Sequence, residues 1–138
     1  MRIMALDLGT KTIGVALSDA TGIIARGLET IRRGSTESDF SRLAEIITEN
    51  EVDKIVIGYP KNMNGTIGER AQFCEAFADK LKERFPNFEI LLWDERLSTV
   101  AAERVLINAD LRRDKRKKII DMMAAVVILQ NYLDSRKK

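Results

Sequence analysis

The sequence predicts an α/β fold: one mixed five-stranded sheet flanked by helices. Three β-branched, apolar runs separated by short turns come first, and two further apolar runs then alternate with segments of helical period. Length supports the same reading. The 138 residues suit one domain, spanning 1–138, and leave too little chain for a second.

Ile3 to Leu8 and Ile13 to Ser18 read as strands joined by Gly9-Thr10-Lys11-Thr12, and Ile23 to Ile31 as a third strand after Ala20-Thr21-Gly22. Such short connections predict an antiparallel meander. The period then changes. Phe40, Leu43, Ala44, Ile46 and Ile47 form a helical stripe behind the polar cluster Ser35 to Ser38. Ile55-Val56-Ile57 is wholly apolar, as expected of a strand buried on both faces, and ends in Gly58-Tyr59-Pro60 before a polar loop from Lys61 to Gly68.

Glu69 to Phe85 is helical again, with Cys74, Phe77, Ala78, Leu81 and Phe85 on one face, and Pro86-Asn87 stops it. Phe88 to Trp93 is the fifth strand, delivering Asp94-Glu95-Arg96 at its C-terminal end. Ser98 or Thr99 caps a helix running to about Asn108, and a final helix covers Ile119 to Leu133. Three antiparallel strands followed by helical crossovers give one sheet with helices on its faces.

Composition narrows the chemistry. The chain has no histidine, which excludes a Ser-His-Asp triad, histidine-based RNA hydrolysis and His-ligated zinc. Cys74 is the only cysteine, so no internal disulfide forms, and its place in an apolar stripe marks it as a core thiol. No run is long and apolar enough for a membrane span, and the N-terminus lacks the pattern of a signal peptide, so the expected location is the cytoplasm.

Three carboxylates stand where carboxylates need a reason. Asp7 ends the apolar run Ile3 to Leu6 inside a strand expected to be buried, with Gly9 and Gly14 clearing side chains nearby. A turn-capping aspartate is its ordinary alternative. Glu95 lies at the carboxyl edge of the sheet, where α/β folds place their sites, and a surface ion pair with Arg96 is its alternative. Asp94 points to the opposite face and is the runner-up. Asp121 interrupts Ile119-Ile120-Asp121-Met122-Met123, with Ala124 and Ala125 making its helical face shallow. Pairing with Lys117 or Lys118 is the alternative there. Three separated carboxylates and no histidine suit Mg²⁺ or Mn²⁺, which prefer oxygen ligands.

Net charge is only +2, but Arg112, Arg113, Lys115, Arg116, Lys117 and Lys118 crowd into seven residues. Cations at a helix N-terminus oppose its dipole at about 0.3–1 kcal/mol each when exposed. Phosphate contacts explain them better than stability does, with a solvated charged loop as the alternative.

Four motifs in order carry a family resemblance: Asp7-Leu-Gly9-Thr-Lys-Thr-Ile-Gly14-Val-Ala, Gly58-Tyr-Pro60-Lys-Asn62-Met-Asn64-Gly65, Asp94-Glu95-Arg96-Leu-Ser-Thr99 and Lys118-Ile-Ile-Asp121-Met-Met-Ala124-Ala125. Nearly end to end, the chain resembles the bacterial YqgF/RuvX family, associated with processing of pre-16S ribosomal RNA and earlier with Holliday-junction resolution. The resemblance implies a ribonuclease H-like fold with the first strand central, beside the strand ending at Gly58. It implies a cytoplasmic hydrolase, a metal-dependent endonuclease trimming the 5′ end of pre-16S rRNA, with Asp7, Glu95 and Asp121 at the site. The wider resolvases carry two further acids, where this chain has Gly58 and Ala124.

If the fifth strand lies one beyond Gly58, its carboxylate must cross about two strand spacings, roughly 9–10 Å, to meet Asp7. Glycine clears that path and glutamate outreaches aspartate, which favours Glu95 over Asp94. In this reading the acids hold one or two Mg²⁺ or Mn²⁺ ions, while Lys11, Arg96, Arg112, Arg113, Arg116, Lys117 and Lys118 contact the substrate backbone. The 61–68 loop lines the groove. The expected substrate is RNA rather than a DNA junction, and the expected state is a monomer. Three rivals stay open: a junction resolvase acting on DNA, a non-catalytic RNA-binding assembly module, and a phosphotransferase of the actin and sugar-kinase type, whose phosphate loop Asp7-Leu-Gly9-Thr resembles. The last needs two lobes, and this chain supplies one.

Overall fold

Turn chemistry sets the first three strands. The Gly9 N–H donates to the Thr12 carbonyl across 2.8 Å, closing the turn between β1 (Arg2–Leu8) and β2 (Thr12–Ser18). A Cβ at Gly9 would stand 3.0 Å from that same carbonyl oxygen, so the turn is tight enough to want glycine. At the next turn Asp19 Oδ1 accepts from the N–H groups of Ile23 and Ile24, at 3.0 and 3.2 Å. Those two donors are therefore withdrawn from sheet pairing. As a result β3 spans Ala25–Arg32 rather than starting at Ile23, and both isoleucines are exposed.

The computed structural model describes residues 2–60, 65, 67–94 and 113–136, the side chains of 113–121 excepted. After the meander, α1 (Thr36–Glu49) starts at Ser35, whose hydroxyl accepts from the Ser38 N–H at 3.1 Å. It is followed by β4 (Val52–Tyr59), α2 (Glu69–Arg84), β5 (Glu89–Asp94) and α3 (Arg113–Ser135). The helix expected over 99–108 lies outside the described residues.

The sheet order is β3-β2-β1-β4-β5. β1 pairs antiparallel with β2 and parallel with β4, β2 pairs antiparallel with β3, and β5 runs parallel to β4. The mixed five-stranded sheet is as the apolar pattern predicts, and the central β1 beside β4 is as the family resemblance implies. β4 runs one residue past Gly58, to Tyr59.

The final helix starts earlier than expected. Among the described residues it already runs from Arg113, ahead of Ile119. Nothing between them breaks a helix, since lysine and arginine are good helix formers, so the helical period of the apolar stripe extends back through the cations. Lys115, Arg116, Lys117 and Lys118 therefore belong to α3.

Period-two alternation divides the core between two faces. Met4, Leu6, Leu8, Ile13, Val15, Leu17, Ile55 and Ile57 pack under α1 and α2 with Phe40, Leu43, Ile46, Phe77 and Leu81. Cys74 is buried in that layer, as its stripe implied. Ile3, Ala5, Ala16 and Val56 face the other way and pack under α3 with Ala125, Ile128, Leu129 and Tyr132. Among the described residues, no helix is long and apolar enough to cross a membrane.

Candidate active site at the end of the central strand

Asp7 sits one residue before the C-terminal end of β1, half-buried, directly across from Gly14 of β2. Its neighbours in the alternation, Ile3 and Ala5, belong to the α3 layer, while Leu6 and Leu8 belong to the other. Asp7 is therefore on the α3 face. Gly14 leaves no side chain beside it there. On the other flank, Leu6 pairs with Ile57, so Gly58 comes level with Asp7 one step on, and Gly58 pairs in turn with Trp93 of β5. A line across the sheet thus runs from Gly14 through Asp7 and Gly58 to Trp93.

The α3 side of this line is lined with small groups. Ala124 is 4% exposed and Ala125 fully buried. Met122 lies against Gly27 of β3, where an added Cβ would meet its Cγ at 2.6 Å. Glycine at position 27 is what allows the helix so close. On β5, Leu91 and Trp93 pack in the α3 layer, Trp93 meeting Tyr132 edge-on with ring centroids 5.4 Å apart. Asp94 is exposed, pairs in register with Tyr59, and by alternation falls on the opposite face from Trp93.

The other side chains singled out in the sequence are distributed as follows. Lys11 is exposed on the β1–β2 turn, and its carbonyl accepts from the Arg33 N–H at 2.9 Å. Arg113, Arg116, Lys117, Lys118 and Asp121 lie within α3, in the stretch of which only the backbone is described; Glu95, Arg96 and Arg112 are outside the described residues altogether, as are residues 61–64 of the loop. Among the described residues no three metal-ligating side chains cluster, and Asp7 is the one member of the proposed acid set whose side chain is described.

Sequence reasoning missed the residues that hold the end of β1. Arg33 Nη1 donates to the Gly9 carbonyl at 2.7 Å and to the Thr10 carbonyl at 3.3 Å, and Arg70 Nη2 donates to the Leu8 carbonyl at 2.9 Å. Bonds from charged donors are among the stronger ones, so the three carbonyls following Asp7 are firmly placed. Phe73 packs against Arg33, with the guanidinium carbon 4.5 Å from the ring centroid. The available signal was Phe73 itself, an aromatic lying off the buried stripe of its helix.

This geometry has known counterparts. The structure resembles Thermus thermophilus RuvC in complex with a Holliday-junction substrate, with a TM-score of 0.60, 12% identity, and coverage of 99% of this chain and 96% of that one. It also resembles the fowlpox virus Holliday junction resolvase, with a TM-score of 0.59, 17% identity, and coverage of 98% and 99%. At such identities the likeness shows a shared resolvase-type, ribonuclease H-like fold and no more. Sequence relatives are much nearer. A protein of Desulforamulus reducens named "Putative pre-16S rRNA nuclease" is 60% identical over 138 residues, the whole of both chains. A protein of the same name from Thermoanaerobacter pseudethanolicus is 59% identical over 99% of each. The RuvX family, described as Holliday junction resolvase, matches residues 1–135, and the chain belongs to that family.

Proposed function

We propose that the chain is one nuclease domain that hydrolyses phosphodiester bonds in the 5′ extension of pre-16S ribosomal RNA, in the cytoplasm. The observation that carries this is Asp7: a half-buried carboxylate at the end of the central strand, facing α3 between Gly14 and Gly58. The full-length relatives bearing the pre-16S rRNA nuclease name support the substrate.

Two arguments support adding the other acids to this reading. Position 121 stands four residues before Ala125 and seven before Ile128, on the stripe by which α3 meets the sheet. At the level of sequence, position 95 shares the period-two register of positions 91 and 93, and glutamate outreaches aspartate, so we choose Glu95 over Asp94 as the third acid. The donor set is all oxygen, in a chain without histidine, and fits a hard divalent ion held by Asp7, Glu95 and Asp121. When bound, Mg²⁺ or Mn²⁺ would supply Lewis acidity at the phosphate oxygens and lower the pKa of a coordinated water below that of bulk water.

The chain's own residues do the rest. The three carboxylates repel one another until a cation joins them, so the site is built for positive charge. The Arg33 and Arg70 contacts fix the backbone beyond Asp7, so the carboxylate works from a rigid support. Lys11, Arg96, Arg112, Arg113, Arg116, Lys117 and Lys118 bind phosphates along the strand and position the scissile one. We read the chain as a monomer cutting a single strand, since paired cuts in a junction need two sites across a two-fold axis.

The test is cleavage of RNA carrying a 16S 5′ extension, with Mg²⁺ or Mn²⁺, beside a four-way DNA junction. RNA cleavage by a species that sediments as a monomer is expected. Faster paired cuts in the junction by a tight dimer would replace this reading with a resolvase. Tight RNA binding with no metal-dependent cleavage would replace it with a non-catalytic assembly module.

A further inference from the structure

A recess of about 250 Å³ opens on the side of β1 opposite Asp7, and the nuclease reading gives it no task. Leu8, Gly9, Arg33, Glu69, Arg70 and Phe73 are among the residues that line it. Phe73 is 38% exposed, off the buried stripe of Ala71, Cys74, Phe77, Ala78 and Leu81. Its ring carries the Arg33 guanidinium at 4.5 Å, and both arginines are tied down by the carbonyls of residues 8 to 10. The recess therefore has flat, polarisable walls whose orientation is set before anything enters.

Such walls suit a nucleobase. Unpaired bases stack on aromatic rings and on guanidinium planes, whatever their sequence. A bare phosphate would leave the Phe73 ring unused, while both guanidiniums already donate to backbone carbonyls and the Glu69 carboxylate offsets part of their charge. Toward a base, that carboxylate is an acceptor for amino and imino hydrogens. Position puts the recess at the same end of β1 as Asp7. Leu8 and Gly9 follow Asp7 directly, and Lys11 is exposed on the same turn, available to an adjoining phosphate.

We propose that this recess holds one unpaired base of the RNA strand where the strand passes the C-terminal end of β1, with the Phe73–Arg33 pair as its stacking platform. The proposal rests on the reading of the chain as a nuclease of single-stranded RNA. It also makes the enzyme selective for unpaired RNA, since a base inside a duplex cannot enter.

Binding without divalent ion tests it apart from catalysis. A short single-stranded RNA and a set of its abasic derivatives would be titrated against the native chain, Phe73→Leu and Phe73→Trp. Phe73→Leu keeps apolar bulk but removes the ring, and melting curves would establish that it is folded. One abasic position is expected to weaken binding to the native chain by about five- to 150-fold, the range for loss of one base–aromatic stack. Phe73→Leu should lose the same factor on intact RNA and nothing more on that abasic derivative, while Phe73→Trp should retain binding. Equal affinity of Phe73→Leu and the native chain for intact RNA would overturn the proposal. So would a loss equal across all abasic positions, or an equal loss on duplex RNA. Cleavage of the 16S-extended RNA, measured in parallel, separates the two readings. No cleavage with the coupling present removes the nuclease and leaves the recess; cleavage without coupling removes the recess and leaves the nuclease.

Discussion

Against α1 and α2 the sheet presents Met4, Leu6, Ile13, Val15, Leu17, Ile55 and Ile57; against α3 it presents Ile3, Ala5, Ala16 and Val56. The first interface is filled with large branched side chains and phenylalanines. The second has alanines on both partners, and Gly27 where Met122 lies on β3. Burial contributes about 0.8 kcal/mol per methylene, so the α1/α2 face contributes most of the fold's stability. The α3 face gives up part of that burial and gains closeness between helix and sheet. A carboxylate from a helix can meet one from a strand only where the backbones approach, and Asp7 is on the close side. One face is built for stability, the other for approach.

The largest effects should follow from charge on the α3 face. Asp7→Asn and Asp121→Asn should each abolish metal-dependent RNA cleavage, with melting temperature unchanged or slightly raised because repulsion among the acids is relieved. Glu95→Gln should cost orders of magnitude in rate and Asp94→Asn less. If Asp94→Asn proves the more damaging, the face assignment at the end of β5 is reversed.

Next come two adjacent residues of β2 that point in opposite directions. Leu17 and Ala16 are both fully buried, one in each layer. Leu17→Ala should destabilise by about 2–5 kcal/mol, leaving turnover per folded molecule near normal. Ala16→Leu should cost about 1–3 kcal/mol through overpacking and lower turnover as α3 is pushed from the sheet. Denaturant unfolding and single-turnover rates on the same preparations check both. Equal activity losses would erase the distinction between the faces.

The smallest effect is on binding. Neutralising Arg112, Arg113, Arg116 and Lys117 together should weaken RNA binding across sequences. For every phosphate no longer neutralised, the slope of log affinity against log salt should flatten by about 0.7–0.9. An unchanged slope would return these residues to plain solvation.

The alternation of apolar residues determined which strands form and which way each residue faces, because a strand's side-chain period is fixed by its backbone. Cys74 in the core was legible from the helical stripe, whereas the central place of β1 was implied by the family resemblance. Where local hydrogen bonds compete with periodicity, the sequence was read less well. Asp19 takes the N–H groups of Ile23 and Ile24 and shortens β3, and the helix-forming cations extend α3 back to Arg113. Asp7 was recognisable alone, since a carboxylate among buried apolar residues demands a partner. The hold of Arg33 and Arg70 on the carbonyls after Asp7, and the recess they form with Phe73, were decided only by tertiary structure. Those residues stand 24 and 62 positions from their carbonyl partners, a separation over which no local pattern acts and only the folded sheet brings donor to acceptor.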